Sequence, residues 1–403
     1  MTTQASNPPK PTPSTPAGPP PQSSTVPIAG LEGIVAGNSA LSAIDGTNGR
    51  LGYRGIAIEE LSEKGTFEEC VYLLWYDALP NKKQLADFSK ELIENRPVPA
   101  GVWDVLKPVA GKQSLMDLVR TGVSALSAWD KDILVTLDDP AEHAAANLRM
   151  SKRLTAKMAT LVAGAYRLSK GQQPIAPKTD GSHAANFLYM VNGKAPTPGE
   201  ERIFDAALTL HADHGFNAST FAARVTAATE SDMYGAMTAA VATLAGRLHG
   251  GANTKVMRML EEIGELSNVE PYLEKVLARP KGRVMGFGHR VYKVEDPRAT
   301  VLRRMAKDLT SKTGHSKWFE MSRKIEDWMK AKKGIFVNVD FFSASVYGSM
   351  GLDPELYTPI FAVSRVAGWL AHVQEQHGDN RLIRPKSNYI GHKDRAFTPI
   401  DQR

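Results

Sequence analysis

A chain of 403 residues with 42% hydrophobic and 23% charged side chains has the composition of an ordinary globular protein and is long enough for two domains. Its formal charge of +6 is too mild over so much surface to mark a nucleic-acid or membrane binder. The single cysteine, Cys70 in CVYLLWY, excludes an internal disulfide and a cysteine-rich zinc or iron–sulfur centre, and its apolar setting assigns it to core packing.

The first 27 residues hold nine of the 25 prolines, nine Ser or Thr, and Lys10 as the only charge. This reads as a disordered tail over 1–30, with neither the apolar stretch of a secretory signal nor the Arg-rich pattern of a transit peptide, which favours cytoplasmic residence. Helical spacing follows at Leu85, Phe88, Leu92 and Ile93, and again at Leu115, Leu118, Val119 and Gly122. The run MYGAMTAAVATLAGRL from Met233 is too short to span a membrane and predicts a helix buried on nearly every side. Further amphipathic helices are predicted at Val301, Leu302, Met305 and Leu309, and over Trp318, Met321, Ile325 and Trp328 with Gly334 as the stop. Only VMGF near Val284 and FVNV near Phe336 read as strands. Glycine interruptions at HGGAN from His249 and GSMGLDP from Gly348 suggest a pair of hinges enclosing a segment that moves on substrate. There is no internal repeat, so a predominantly helical enzyme-sized body is expected.

Chemistry-bearing residues concentrate in the second half of the chain. His211 and His214 in LTLHADHGFN would share one helical face, where they could pair, bind an anion or bind metal. No HExxH and no cysteine cluster accompanies them, and Asp213 projects away, so metal is the weakest of these readings. His249 sits in RLHGGAN, where an apolar helix gives way to glycines that let backbone approach a ligand. His289 follows glycine in GFGHRVYKVEDPRA, within a run from Arg279 to Lys307 holding nine Lys or Arg against Glu295 and Asp296. Such cations suit a phosphorylated or polycarboxylate ligand and would keep a neighbouring histidine neutral. Asp340, between IFVNV and FFSASVYG, would have a raised pKa in that aromatic setting, suited to taking a proton from carbon. Arg365 and Arg384 offer two further carboxylate clamps. No phosphate loop, no strand-bounded GxGxxG and no GxSxG is present, which disfavours nucleotide hydrolysis and nicotinamide chemistry.

Taken in order, HADHGFNAST, LHGGAN, GFGHRVYKVEDPRA, VNVDFFSASVY, FAVSRVAGW and RPKSNYIG resemble the citrate synthase family, and the likeness extends from Leu31 onward through LGYRGIAIEELSEKGTFEECVYLLWYDALP. The resemblance implies a mostly α-helical homodimer. Its large helical domain would comprise 31–248 and 349–403, with a smaller mobile helical domain inserted at 249–348. It implies an acyltransferase that condenses acetyl-CoA with oxaloacetate and hydrolyses citryl-CoA, with a coenzyme A thioester as co-substrate and no permanently bound cofactor or metal. His249, His289 and Asp340 would be the catalytic trio. His214, Arg298 and Arg365 would hold oxaloacetate, joined by Arg384 from across the dimer interface, and Arg290 and Lys293 would face the coenzyme phosphates. The resemblance begins without the extra N-terminal β-rich domain of hexameric members, which favours a dimer. Gly215 departs from relatives that carry an acidic residue after the second histidine. The alternative activity is 2-methylcitrate formation from propionyl-CoA. HRVYK looks more like the citrate-forming members, although one methylene changes discrimination by only about 1–3 kcal/mol.

Overall fold

The computed structural model describes residues 28–134, 139–313 and 316–403, so the expectation of a disordered tail over 1–30 lies outside the described residues for 1–27, while 28–30 are exposed and enter the single turn Ala29–Leu31. Side-chain caps set many helix starts. Thr66, Asn81 and Thr197 close reciprocal capping boxes with Glu69, Gln84 and Glu200. Ser114, Ser182, Asn217 and Asp232 accept from the first-turn N–H groups that would otherwise lack partners. Sixteen α-helices and one small sheet result among the described residues, a mostly α-helical fold. The predicted helices appear as Lys82–Glu94, Leu115–Leu126, Pro297–Thr313 and Ser316–Lys333.

The strands differ from the expectation. VMGF and FVNV meet only in an isolated antiparallel bridge, Phe287 to Val337, flanked by hydrogen bonds from Gly288 N–H to Phe336 O and from Asn338 N–H to Gly286 O, both at 2.9 Å. No ladder grows from it, because Asn338 already caps the helix Val339–Ser349. The true sheet is the antiparallel meander β1 (Ser42–Asp45), β2 (Arg50–Tyr53) and β3 (Ile56–Ala57), with Ser42 opposite Tyr53 and Gly52 opposite Ala57. Asp45 Oδ1 accepts from the N–H groups of Thr47 and Asn48 and so closes the first turn. Leu51 and Tyr53 point into the core while Arg50 is exposed, the alternation a half-buried strand requires.

The long helices Pro140–Ser169 and Tyr357–Gly378 pack on each other at the centre, and Met233–Leu244 packs against both as well as against Ala218–Ala227 and Leu115–Leu126. Cys70 is buried among apolar neighbours, as expected. Met233–Leu244 is not buried on nearly every side. Met233, Ala236, Met237, Ala240, Val241 and Leu244 form its core face, whereas Gly235 and Ala239 remain partly accessible and Ala242 is exposed. Apolar composition alone does not distinguish a chain's own core from a surface left for another body. Helices Ala252–Ile263, Pro297–Thr313 and Ser316–Lys333 gather around Val339–Ser349. No helix among the described residues is long and apolar enough to cross a membrane.

Residues 39–383 form one compact unit. The other, in its described parts 28–38 and 384–403, has little regular structure beyond the single turns Ala29–Leu31 and Ile400–Gln402.

Candidate active site

The helix Pro198–His211 ends at its first histidine, so His211 and His214 do not share a helical face as the spacing suggested. They lie in a turn locked by buried hydrogen bonds. Tyr53 Oη donates to Asp213 O at 2.7 Å and accepts from Asp213 N–H at 3.0 Å. The Asp213 carboxylate accepts from Ser42 Oγ and, at 3.1 Å, from His372 Nε2. Arg224 donates to His372 Nδ1 at 3.2 Å, which leaves the His372 proton on Nε2. Burial alone would raise the Asp213 pKa, but His372, Arg365 and Ser42 together hold it below the ordinary value. His211 is consumed structurally: its Nδ1 donates to Ala207 O at 2.7 Å, and burial takes its pKa down to about 3. His214 faces His289 instead, with ring centroids 5.3 Å apart and Nε2 3.1 Å from Tyr292 Oη. Gly215 follows with φ +54°, donates to Asp213 Oδ2, and would press a side chain onto Ile44 at 3.2 Å. A left-handed turn this close to β1 accounts for glycine here.

His289 receives two backbone N–H groups on Nδ1, from Val291 at 3.0 Å and Tyr292 at 3.2 Å. Backbone amides only donate, so Nδ1 carries the lone pair and Nε2 the proton. Burial, assisted by Arg298, lowers the pKa to about 4, and the ring is a neutral Nε2–H donor near pH 7. Arg298 is itself buried and doubly bound to Asp296, Nε to Oδ1 at 3.0 Å and Nη2 to Oδ2 at 2.8 Å, leaving Nη1 available.

His249 has the mirror-image tautomer. Ser219 N–H donates to its Nε2 at 3.2 Å and Ser219 Oγ lies 2.7 Å from the same nitrogen, so the proton sits on Nδ1. Burial, with Arg365 next, lowers its pKa to about 4. Both histidines are therefore uncharged hydrogen-bond donors whose orientation is set by backbone.

Asp340 is the second residue of helix Val339–Ser349, and its N–H donates to the cap Asn338. Its side chain is partly accessible, yet the surrounding protein removes enough water to push its pKa up to about 6, against the opposing pull of Arg298 and Arg365. Arg365 is 1% exposed, donates through Nε to His211 O at 2.6 Å, and lies over the Phe361 ring at 4.6 Å. Neither Nη group has a partner among the described residues, and no carboxylate pairs with it. Burial pushes its pKa down to about 10, still fully charged at neutral pH. Its field is felt by His249, His214 and Asp340 alike, which places these groups around one buried cation.

One stripe of helix Tyr357–Gly378 holds this arrangement. Arg365, Gly368, Trp369 and His372 follow helical spacing, and they reach His211 O, the backbone of Ala212, Ser219 Oγ at 3.1 Å and Asp213 respectively. A Cβ on Gly368 would stand 2.2 Å from Ala212 O, so only glycine permits the approach.

His249, His289 and Arg290 open onto a cavity of about 690 Å³, walled by the backbone from Gly282 to Gly288 and by Met285, Phe287 and Met329, with Arg247, Lys255 and Arg283 adding charge. Lys293 is exposed, does not line it, and anchors through its N–H to Gly46 O at 2.8 Å. Arg384 is exposed and belongs to the other unit. The sequence reading missed Ser219, Tyr292, Asp296 and His372, which position the functional groups. Among the described residues no three His, Cys, Asp or Glu are placed to hold a metal ion.

A carboxylate of raised pKa, two neutral imidazoles that each keep one N–H free and two buried guanidinium groups on a helical scaffold are a set of groups suited to acid–base chemistry on an anionic substrate. The family model for "Citrate synthase, C-terminal domain" matches residues 30–386. A citrate synthase of Haloferax volcanii is 48% identical over 377 residues, covering 93% of this chain and 98% of that protein. The crystal structure of citrate synthase from Pyrobaculum aerophilum superposes with a TM-score of 0.87 at 39% identity, over 93% of this chain and 95% of that one. The ternary complex of carboxymethyl coenzyme A and oxaloacetate with citrate synthase from Thermoplasma acidophilum gives 0.86 at 33% identity, over 93% and 98%. The chain belongs to the citrate synthase family.

Proposed function

We propose that this chain condenses acetyl-CoA with oxaloacetate and hydrolyses the citryl-CoA formed, releasing citrate and coenzyme A. The mechanism is supported first by geometry, two histidines that backbone and Ser219 contacts leave with one free N–H each, together with a carboxylate that burial pushes up to about 6. Asp340 takes a methyl proton from acetyl-CoA and becomes a neutral acid. His249 Nδ1–H donates a hydrogen bond to the resulting enolate at the thioester oxygen. His289 Nε2–H polarises the oxaloacetate carbonyl as the enol carbon attacks, and water then cleaves the thioester. A carboxylate held above its ordinary value by burial is a correspondingly stronger base, and preorganised neutral donors stabilise the oxyanion by hydrogen bonding. His214, Arg298 and Arg365 bind the dianion, and Arg290 on the cavity wall lies toward the coenzyme phosphates, which Lys293 would reach only from outside that wall. The proposal includes cytoplasmic residence and a small domain, 249–348, that closes over the substrates.

Substrate choice is read by thiol release with either acyl-CoA at saturating oxaloacetate. kcat/KM for acetyl-CoA should exceed that for propionyl-CoA, by no more than about 200-fold for a single methylene. Equal or reversed values would make 2-methylcitrate formation the activity.

Assembly is part of the same proposal: a homodimer in which Arg384 completes the partner's site, supported by the open small-residue face of Met233–Leu244. Asp340→Asn and Arg384→Ala chains should each be inactive alone. After subunit exchange they should recover activity, since one of the two sites in a mixed dimer is intact. Absence of recovery in demonstrated heterodimers would remove the shared site.

A further inference from the structure

The β1–β2 hairpin touches the site at both of its ends. At its base, Ser42 Oγ and Tyr53 Oη are bonded to Asp213 and Ile44 lies against Gly215, so the turn that carries His214 rests on the paired strands. At its tip, Lys293 N–H donates to Gly46 O at 2.8 Å. The approach is close. A Cβ on Gly46 would stand 2.2 Å from Val291 O, and one on Gly49 would stand 2.8 Å from Val294 and 3.0 Å from Glu295 O. Gly49 has a left-handed φ of +63°, but Gly46 does not, so at Gly46 it is the facing loop alone that excludes a side chain. Asp45 shapes the tip, accepting from Thr47 and Asn48 N–H at 3.1 and 3.0 Å and from Asn48 Nδ2 at 2.7 Å. Base and tip are held about 10 Å apart by the strand Ser42–Asp45, whose pairing with Arg50–Tyr53 fixes that length.

The loop seated on the tip is the one that sets the His289 proton. Val291 and Tyr292 supply the two N–H groups on His289 Nδ1, and Tyr292 Oη meets His214 Nε2 at 3.1 Å. We infer that the β1–β2 hairpin positions His289 for the reaction proposed above: its tip clamps the 291–295 backbone that keeps the proton on Nε2, while its base holds the His214 turn opposite. Asp45 and Gly46 are then positioning residues that act through His289 without touching substrate. Residues 291–295 fall within the segment 249–348 proposed to close, so the clamp joins the moving part to the fixed one. With the tip released, the two amides are free to leave Nδ1, and an imidazole without those donors exchanges between its Nδ1–H and Nε2–H forms. Only the Nε2–H form aims a donor at the oxaloacetate carbonyl, and a misplacement of about 1 Å costs up to about 100-fold in rate. The catalytic consequence rests on the role proposed for His289; the clamp on its tautomer does not.

Nitrogen-15 NMR of the full-length protein labelled at histidine, without substrates and with His289→Gln to identify the signal, reads the tautomer directly. The parent should show His289 protonated on Nε2 alone. Gly46→Ala, whose methyl forces tip and loop apart, should populate the Nδ1–H form. Asp45→Ala, which removes the acceptor that shapes the tip, should do the same. Asp45→Asn keeps an acceptor oxygen and should match the parent. In turnover, Gly46→Ala and Asp45→Ala should lower kcat about 10- to 100-fold while KM for oxaloacetate changes less than about threefold, because Arg298 and Arg365 are untouched. Thermal unfolding followed by circular dichroism gives the folded fraction of each variant. An unchanged Nε2–H signal in folded Gly46→Ala and Asp45→Ala would overturn the clamp. So would activity lost only in proportion to unfolded protein, a shifted tautomer with parent-like kcat, or equal impairment in Asp45→Asn and Asp45→Ala. A parent that turned over neither acyl-CoA would defeat the proposed reaction instead, and the tautomer measurement would still decide the clamp.

Discussion

Asp340→Asn enzyme should fold, bind oxaloacetate and turn over at least about 100-fold more slowly, because the substitution removes the base and keeps the shape. It should also be the more stable protein above neutrality. The Asp340 carboxyl rises from 3.8 unfolded to about 6 folded, so between those values the native state holds a proton that the unfolded state has released. Stability contributed by the protonated group is present below pH 3.8, declines as pH rises through about 6, and is gone above it. An amide does not titrate, so by pH 8 the variant should gain about 2–3 kcal/mol relative to the parent, a gain absent near pH 4. The same titration gives kcat/KM an acid limb near pH 6, falling about tenfold per unit below it, while His249 and His289 stay neutral until about 4. Chemical denaturation at both pH values, with methyl-proton exchange from acetyl-CoA, separates base from scaffold. Near-normal exchange in folded Asp340→Asn would send the search for the base elsewhere, and activity lost only in step with unfolding would make the residue structural.

Arg365→Met should lower kcat/KM for oxaloacetate by at least about 100-fold while leaving the melting temperature unchanged or higher. Methionine keeps the apolar stem over Phe361 and deletes a buried charge whose two Nη groups have no protein partner. Charge-assisted hydrogen bonds contribute about 1.5–3 kcal/mol each, so losing two to a carboxylate accounts for the magnitude. Arg365→Lys should recover little, since an ammonium cannot make the planar double contact. A second signature is electrostatic. Arg365 holds the Asp340 pKa down, so its removal should move the acid limb of the residual activity to higher pH. A structural arginine predicts a fall in melting temperature with an unmoved limb, and that outcome would exclude the clamp.

Legibility in the sequence followed the range of the interaction. The helix around Trp318 and Ile325 announces itself because 3.6-residue periodicity is a local property, and Gly334 ends it where the spacing predicts. The FVNV run has strand composition, but whether it builds a sheet depends on distant pairing, and Asn338 diverts it into a helix first. Leu51 and Tyr53 form a true strand in a segment too short and glycine-rich to signal one. The histidines and Asp340 could be singled out as residue types in unusual settings. Their protonation states could not, because Ser219 N–H, Val291 N–H and Tyr292 N–H fix them through backbone geometry that has no residue signature. Asp213 illustrates the same limit: judged by helical spacing it projects away from its histidine neighbours, yet in space it is the acceptor that pins their turn.

The stripe Arg365, Gly368, Trp369 and His372 bears on how this enzyme can vary. One face of one helix reaches the substrate-facing turn at three points and, through Ser219, the residue that orients His249. Changes at Arg365, Gly368 or His372 act on the turn from His211 to Asp213, whereas a change at Trp369 acts on Ser219 and through it on the His249 tautomer. Cavity-wall side chains such as Met285 and Met329 belong to no such stripe and can change one at a time, whereas the four positions on this helix face constrain one another through the segment from His211 to Ser219 that they all touch.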